Sequence, residues 1–204
     1  MSKRFGACRQ SARRFGLVHI VVACSALLAV SCDSSGQSNA VLVNPDDADA
    51  APWTTVNDPV MGGESTSTIT SGDGGLLFAG NISLKNNGGF ASARSPQDFD
   101  IGRRASGAKA LRVHAIGDGK TYLLKVSSEG QPWSYVQRFD TEAAVQRTYE
   151  LPVDGFEPVG KRLDPAPDAP QTLDPSSISQ VAIYILDEQQ GPFELTISAI
   201  DAAA

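Results

Sequence analysis

Phe193-Glu194-Leu195-Thr196-Ile197 sets apolar side chains at every second position with polar ones between. That is the two-residue period of a strand with one face in a core and the other in water. Leu76 to Leu84 shows the same alternation from Phe78 onward, broken at Gly80, where a bulge or a close backbone approach is expected. Further short apolar runs follow at 110–115, 122–126, 135–139, 145–151 and 181–186, separated by turn-forming residues. Strands of this length and spacing predict an all-β antiparallel sandwich rather than alternating strands and helices.

The turns between these runs have recognisable chemistry. Asn87-Gly88 and Gly117-Asp118-Gly119 can supply the positive φ angles of tight hairpins. Six prolines between 152 and 175 exclude a regular strand there and predict a long ordered loop. The stretch 141–150 lacks a helical period, and a strand over its second half is expected.

Outward from this domain, the N-terminal region differs in composition. Of 204 residues, the first 31 carry five of the 17 basic residues and no acidic one, leaving twelve against 23 acidic residues and a net charge of −11. All three cysteines lie at or before Cys32. Basic residues up to Arg14, an apolar run from Phe15 to Val30 and small residues thereafter form the layout of a secretory signal. Sixteen residues rise roughly 24 Å as a helix, short of the ~30 Å hydrocarbon core. Leu28-Ala29-Val30-Ser31-Cys32 resembles a bacterial lipobox, which makes Cys32 the expected lipidation site in preference to Cys24 after Val21-Val22-Ala23. The chain is then expected to comprise a lipoprotein signal peptide at 1–31, a flexible Ser-, Asp- and Ala-rich tether at 32–52 and a β-sandwich at 53–201. A lipid on Cys32 would hold it to a membrane of the bacterial cell envelope, facing the periplasm or the exterior.

The composition also limits the chemistry. A net charge of −11 after residue 31 makes a poor general binder of nucleic acid. Without cysteine after position 32, disulfides, Cys-type zinc sites and thiol catalysis are excluded from the folded part. His114 alone remains as a histidine, on the outward side of the strand Leu111-Arg112-Val113-His114-Ala115. Asp58, Asp118 and Asp187 occupy turns without the register of an EF-hand loop, and no cofactor is expected. Nothing in a core requires Asn57, Asp58, Asn86, Asn87, Arg94 or Lys120 as such, so they are the polar binding candidates. Trp133 and Tyr135, on one face of a strand start, form an aromatic pair able to stack on a sugar or anchor a protein.

Six clusters share a pattern. They are Trp53-x-x-Val56-Asn57-Asp58-x-Val60-Met61-Gly62-Gly63, Phe78-x-Gly80 through Asn86-Asn87-Gly88-Gly89-Phe90 to Arg94, Gly117 to Tyr122, Trp133 to Thr141, Leu173-Asp174-Pro175-x-x-Ile178, and Asp187-x-Gln189-x-Gly191-Pro192-Phe193-x-Leu195. Together they resemble the complex I intermediate-associated protein 30 family, known for a mitochondrial assembly factor of NADH:ubiquinone oxidoreductase. The resemblance implies a jelly-roll sandwich similar to galactose-binding domains, with no catalytic activity. Taken with the lipobox, it leads to the expectation of a protein partner at the envelope and a role in assembling a respiratory membrane complex; the alternatives are a carbohydrate-binding module for an envelope or extracellular glycan and a carboxylate-based hydrolase. The chain departs from the family pattern near Ser127 and at Val159-Gly160-Lys161-Arg162.

Overall fold

The computed structural model describes residues 39–45, 52–58, 62–72 and 74–204. The signal peptide, Cys32 and most of the expected tether lie outside them. Among the described residues are twelve strands, one short helix and three 3-10 turns. The long strand β12 (Gly191–Ala203) is the spine of the fold. Its first half pairs with β4 (Gly75–Ile82), and its second half with β6 (Ala110–Ile116) on one side and β1 (Ala40–Val43) on the other. β3 (Thr66–Gly72) and β9 (Gln146–Pro152) complete this first sheet, in the order β3-β4-β12-β6-β9 with β1 beside β12. The second sheet runs β10-β8-β7-β11-β5-β2, comprising Glu157–Val159, Ser134–Asp140, Thr121–Ser127, Gln180–Ile185, Ala91–Arg94 and Thr54–Asn57. Every pairing between these strands is antiparallel, as the alternation predicts.

The period-two pattern sorts the side chains. Phe193, Leu195 and Ile197 point inward from the first sheet to meet Leu124, Val126 and Ile183 of the second. Phe78 packs edge-on against Phe193, with ring centroids 4.9 Å apart. Gly80 is a close approach: a Cβ there would lie 2.0 Å from the Thr66 carbonyl oxygen.

Three expectations are corrected, and one element is new. The region read as tether contributes β1, whose Leu42 is buried and whose register runs from Ala40 opposite Ala202 to Val43 opposite Ile200. Four apolar-rich residues suffice because β12 offers a ready edge. The proline-rich segment does hold a strand, β10, but it is three residues long and at a sheet edge, where Pro158 costs no ladder hydrogen bond. Asn87-Gly88 and Gly117–Gly119 do not close hairpins; each carries the chain from one sheet to the other, from β4 to β5 and from β6 to β7. A helix not expected from the sequence, α1 (Asp100–Ala105), buries Ile101 and Ala105 beneath the sandwich.

Candidate functional site

The strand registers divide the candidate residues between two ends of the second sheet. Asn57, Ala91, Ile185 and Thr121 mark one end, with the loops bearing Asp58, Asn86, Asn87 and Lys120; Trp133 and Tyr135 stand at the other. They do not form one site.

At the first end, Asp58 is 1% exposed and entirely engaged. Its carboxylate accepts hydrogen bonds from the Ser65 amide (2.7 Å), the Ser65 hydroxyl (2.5 Å), the Gly89 amide (2.6 Å) and the Phe90 amide (3.3 Å). Burial pushes the carboxyl upward, yet these donors outweigh it and hold it below the ordinary carboxylate range. Gly63 and Gly88 crowd the same group, since a Cβ at either would come within 2.4 or 2.5 Å of it. Asp58 is therefore the knot tying the loop after β2 to the crossover between β4 and β5, not a free ligand. Asn57 is spent similarly, its side-chain amide lying 2.6 Å from the Ser67 hydroxyl. Asn86 and Asn87 are exposed and have φ of 55° and 56°, a conformation asparagine tolerates well. Lys120 uses its backbone, accepting at its carbonyl from the Thr141 hydroxyl.

The aromatic pair does not form an exposed platform, although Trp133 is only half-buried. Tyr135 is 5% exposed, its hydroxyl donates to the Pro170 carbonyl at 3.0 Å, and Trp133 packs against the main core. Period two put both on one face, but that face is the inner one.

The outer face of the second sheet holds what the sequence brought only partly into view. The register aligns Arg94, Ala182 and Lys125 in one row across β5, β11 and β7, with Ser92, Tyr184 and Leu123 in the next. Arg94 Nη2 donates to the Tyr184 hydroxyl at 2.9 Å, while its guanidinium carbon and Lys125 Nζ each lie 5.7 Å from the Tyr184 ring centre. Phe90 stacks on the same ring, with centroids 6.5 Å apart. Leu123, Val136, Val159 and Ala182 complete a second apolar cluster, capped by Leu163 from the loop after β10. Leu163 and Leu186 separate two recesses. One, of about 490 Å³, is lined by Asn87, Phe90, Arg94, Lys161, Arg162 and Tyr184 among others. The other, of about 470 Å³, is lined by Leu123, Val136, Arg138 and the prolines of that loop. Together they make an open groove across the sheet.

The three turn carboxylates, Asp58, Asp118 and Asp187, are each engaged by the protein's own donors. Asp118 accepts from the Lys120 and Glu194 amides, and Asp187 takes a two-pronged contact from Arg138 at 2.8 and 2.9 Å. Among the described residues no cluster of three or more metal-binding side chains occurs. On the outer face of the first sheet, Asp201 contacts Arg112 Nε at 2.8 Å and His114 Nε2 at 2.7 Å, and His114 Nδ1 lies 2.9 Å from the Thr148 hydroxyl. Neither His114 nor Thr148 lines either recess.

The sequence pattern of complex I intermediate-associated protein 30 matches residues 42–197, which begins within β1 and ends within β12. The chain belongs to this family. No curated protein sequence matches it. Solved structures similar to this family member include the family 11 carbohydrate-binding module of the cellulase Lic26A-Cel5E from Clostridium thermocellum. The TM-score is 0.57 at 14% identity, covering 83% of this chain and 97% of that one. A family 11 module from the same organism in complex with a β-1,3-1,4-mixed-linked tetrasaccharide gives 0.52 at 16% identity, over 78% and 93% of the two chains. The agarase AgWH50C gives 0.53 at 13% identity, over 82% of this chain and 25% of that one. At these identities the likeness is one of fold.

Proposed function

We propose that the chain is a non-catalytic binding domain, held at the bacterial envelope by a lipid on Cys32, whose groove on the outer sheet face receives an envelope or extracellular glycan. The groove carries this reading: two adjoining recesses of about 490 and 470 Å³ on a rigid sheet, with an apolar floor and polar walls, suit an extended chain of sugar rings better than a flat protein. The neighbouring fold, found in a module solved with a tetrasaccharide, supports it. The test is retention of the full chain in native gels containing mixed-linked glucan, agarose or polygalacturonate. Retention by at least one, lost on Leu163→Asp, is the expected result; migration unaffected by every glycan would overturn the reading.

Family membership favours a second reading, a protein partner in the assembly of a respiratory membrane complex. Reproducible recovery of respiratory subunits with the detergent-solubilised lipoprotein, undisturbed by Leu163→Asp, would support it over the first. Anchoring has its own test: Cys32→Ser should abolish labelling by a fatty-acid analogue, and persistence of the label would contradict the choice of Cys32.

A further inference from the structure

The groove has an uneven distribution of charge. Arg94, Lys125, Lys161 and Arg162 cluster at or beside the larger recess, and none makes an ion pair with a described carboxylate. Arg94 is partly buried, and its Nε–H has no hydrogen-bond partner among the described residues. The acidic groups nearby do not answer these cations. Asp58 is saturated by its own loop donors, and Asp187 is held by Arg138. Glu188 lines the recess but forms no ion pair with the four cations, and Glu157 lines the other recess.

Two like charges sharing one tyrosine ring repel each other and are partly desolvated, a cost to the fold. Burial and the Arg94 charge both lower the pKa of Lys125. Packing does not need this arrangement, because an apolar residue would fill either stem's place. A planar guanidinium lining the recess without an ion-pair partner, an ammonium beside it and an aromatic pair behind them instead match a carboxylate carried on a ring.

We infer that the larger recess binds the carboxylate of an acidic glycan, with Arg94 as the charge-bearing contact, Lys161 and Arg162 at the rim, and Lys125, beside the recess across the Tyr184 ring, adding to the positive field. The inference rests on the glycan reading and narrows it to uronic-acid polymers. A sugar acid supplies both halves of the match, an anion for Arg94 and a ring face to lie against Phe90. An acidic peptide supplies the first alone, and the domain's overall excess of acidic residues repels a polyanion that lacks the second.

The probe is polygalacturonate, compared with its fully methyl-esterified form, neutral mixed-linked glucan and polyglutamate, each titrated against the full chain in detergent. Polygalacturonate should bind, weaken as NaCl is raised, and lose at least about tenfold in affinity on Arg94→Gln. Lys161→Gln with Arg162→Gln, both at exposed positions, should weaken it by about two- to fivefold, as rim charges do. Lys125→Met should reduce binding yet raise the melting temperature of the free protein, which a merely structural lysine would not do. Binding of neutral glucan independent of Arg94 would overturn the acidic-group inference and leave the glycan reading standing. Arg94-dependent binding of polyglutamate without polygalacturonate, or binding of no probe at all, would overturn both.

Discussion

Asp58 and Arg94 both line one recess, and their polar atoms are treated in opposite ways. The carboxylate of Asp58 collects three backbone amides and a hydroxyl, and two glycines are shaped around it. The guanidinium of Arg94 has a tyrosine hydroxyl, an aromatic ring, a neighbouring cation and an unpaired N–H. A polar group saturated by its own fold belongs to the fold, whereas a charged group lining a recess without an ion-pair partner is available to a ligand. The lining of one recess thus holds a structural knot and the proposed binding residue, although in sequence both are polar residues in turns or at strand ends.

The largest effect that would break this contrast is at the knot. Asp58→Ala should strip four donors of their acceptor and lower stability by about 3–5 kcal/mol in urea denaturation. A loss under 1 kcal/mol would mean that the loops are held by other contacts. Gly88→Ala should follow at about 1–3 kcal/mol, because the new methyl meets both the Asp58 carboxylate and the Ser83 carbonyl.

The knot should also show in acid. Because the folded carboxyl of Asp58 sits below its unfolded value, its contribution is complete above the ordinary carboxylate range and is lost as pH falls through the lowered folded value. Asp58→Asn should flatten that part of the stability profile, and an unchanged slope would assign the acid sensitivity to another group, Asp98 among them. At the opposite end, Tyr135→Phe should cost about 1 kcal/mol for the hydrogen bond to Pro170 and leave glycan binding intact. Loss of binding there would restore the aromatic pair as part of the site. The smallest effect is expected at the exposed Lys85–Glu64 pair, where Lys85→Ala should change stability by less than about 0.5 kcal/mol.

How far the sequence shows these things follows from the range of the interactions. The sandwich was legible because alternation such as Phe193 to Ile197 is local. β1 was not, since its Ser-, Asp- and Ala-rich surroundings hide four residues whose partner lies some 160 positions later in the chain. Helix α1 has only six residues, and its Gly102 is present for a different reason, the Ser176 carbonyl pressing within 2.2 Å of where a Cβ would be. At the site, Arg94 stood out as a polar residue without a core role, but Trp133 and Tyr135 were misread because alternation gives two faces without saying which is inward. Lys125 had a signal: it is the one charge within the otherwise apolar strand Tyr122–Val126. Its meaning needed Arg94 and Tyr184, which only strand pairing brings alongside.

The division between saturated and spare polar groups is tested most directly by the melting temperature of Lys125→Met, with and without polygalacturonate. The account predicts a free variant that melts above the natural chain and gains little from the polymer, while the natural chain is raised by it in the manner of a ligand that binds only the folded state. A free variant that melts lower, or one that keeps the full ligand-induced rise, would contradict the account.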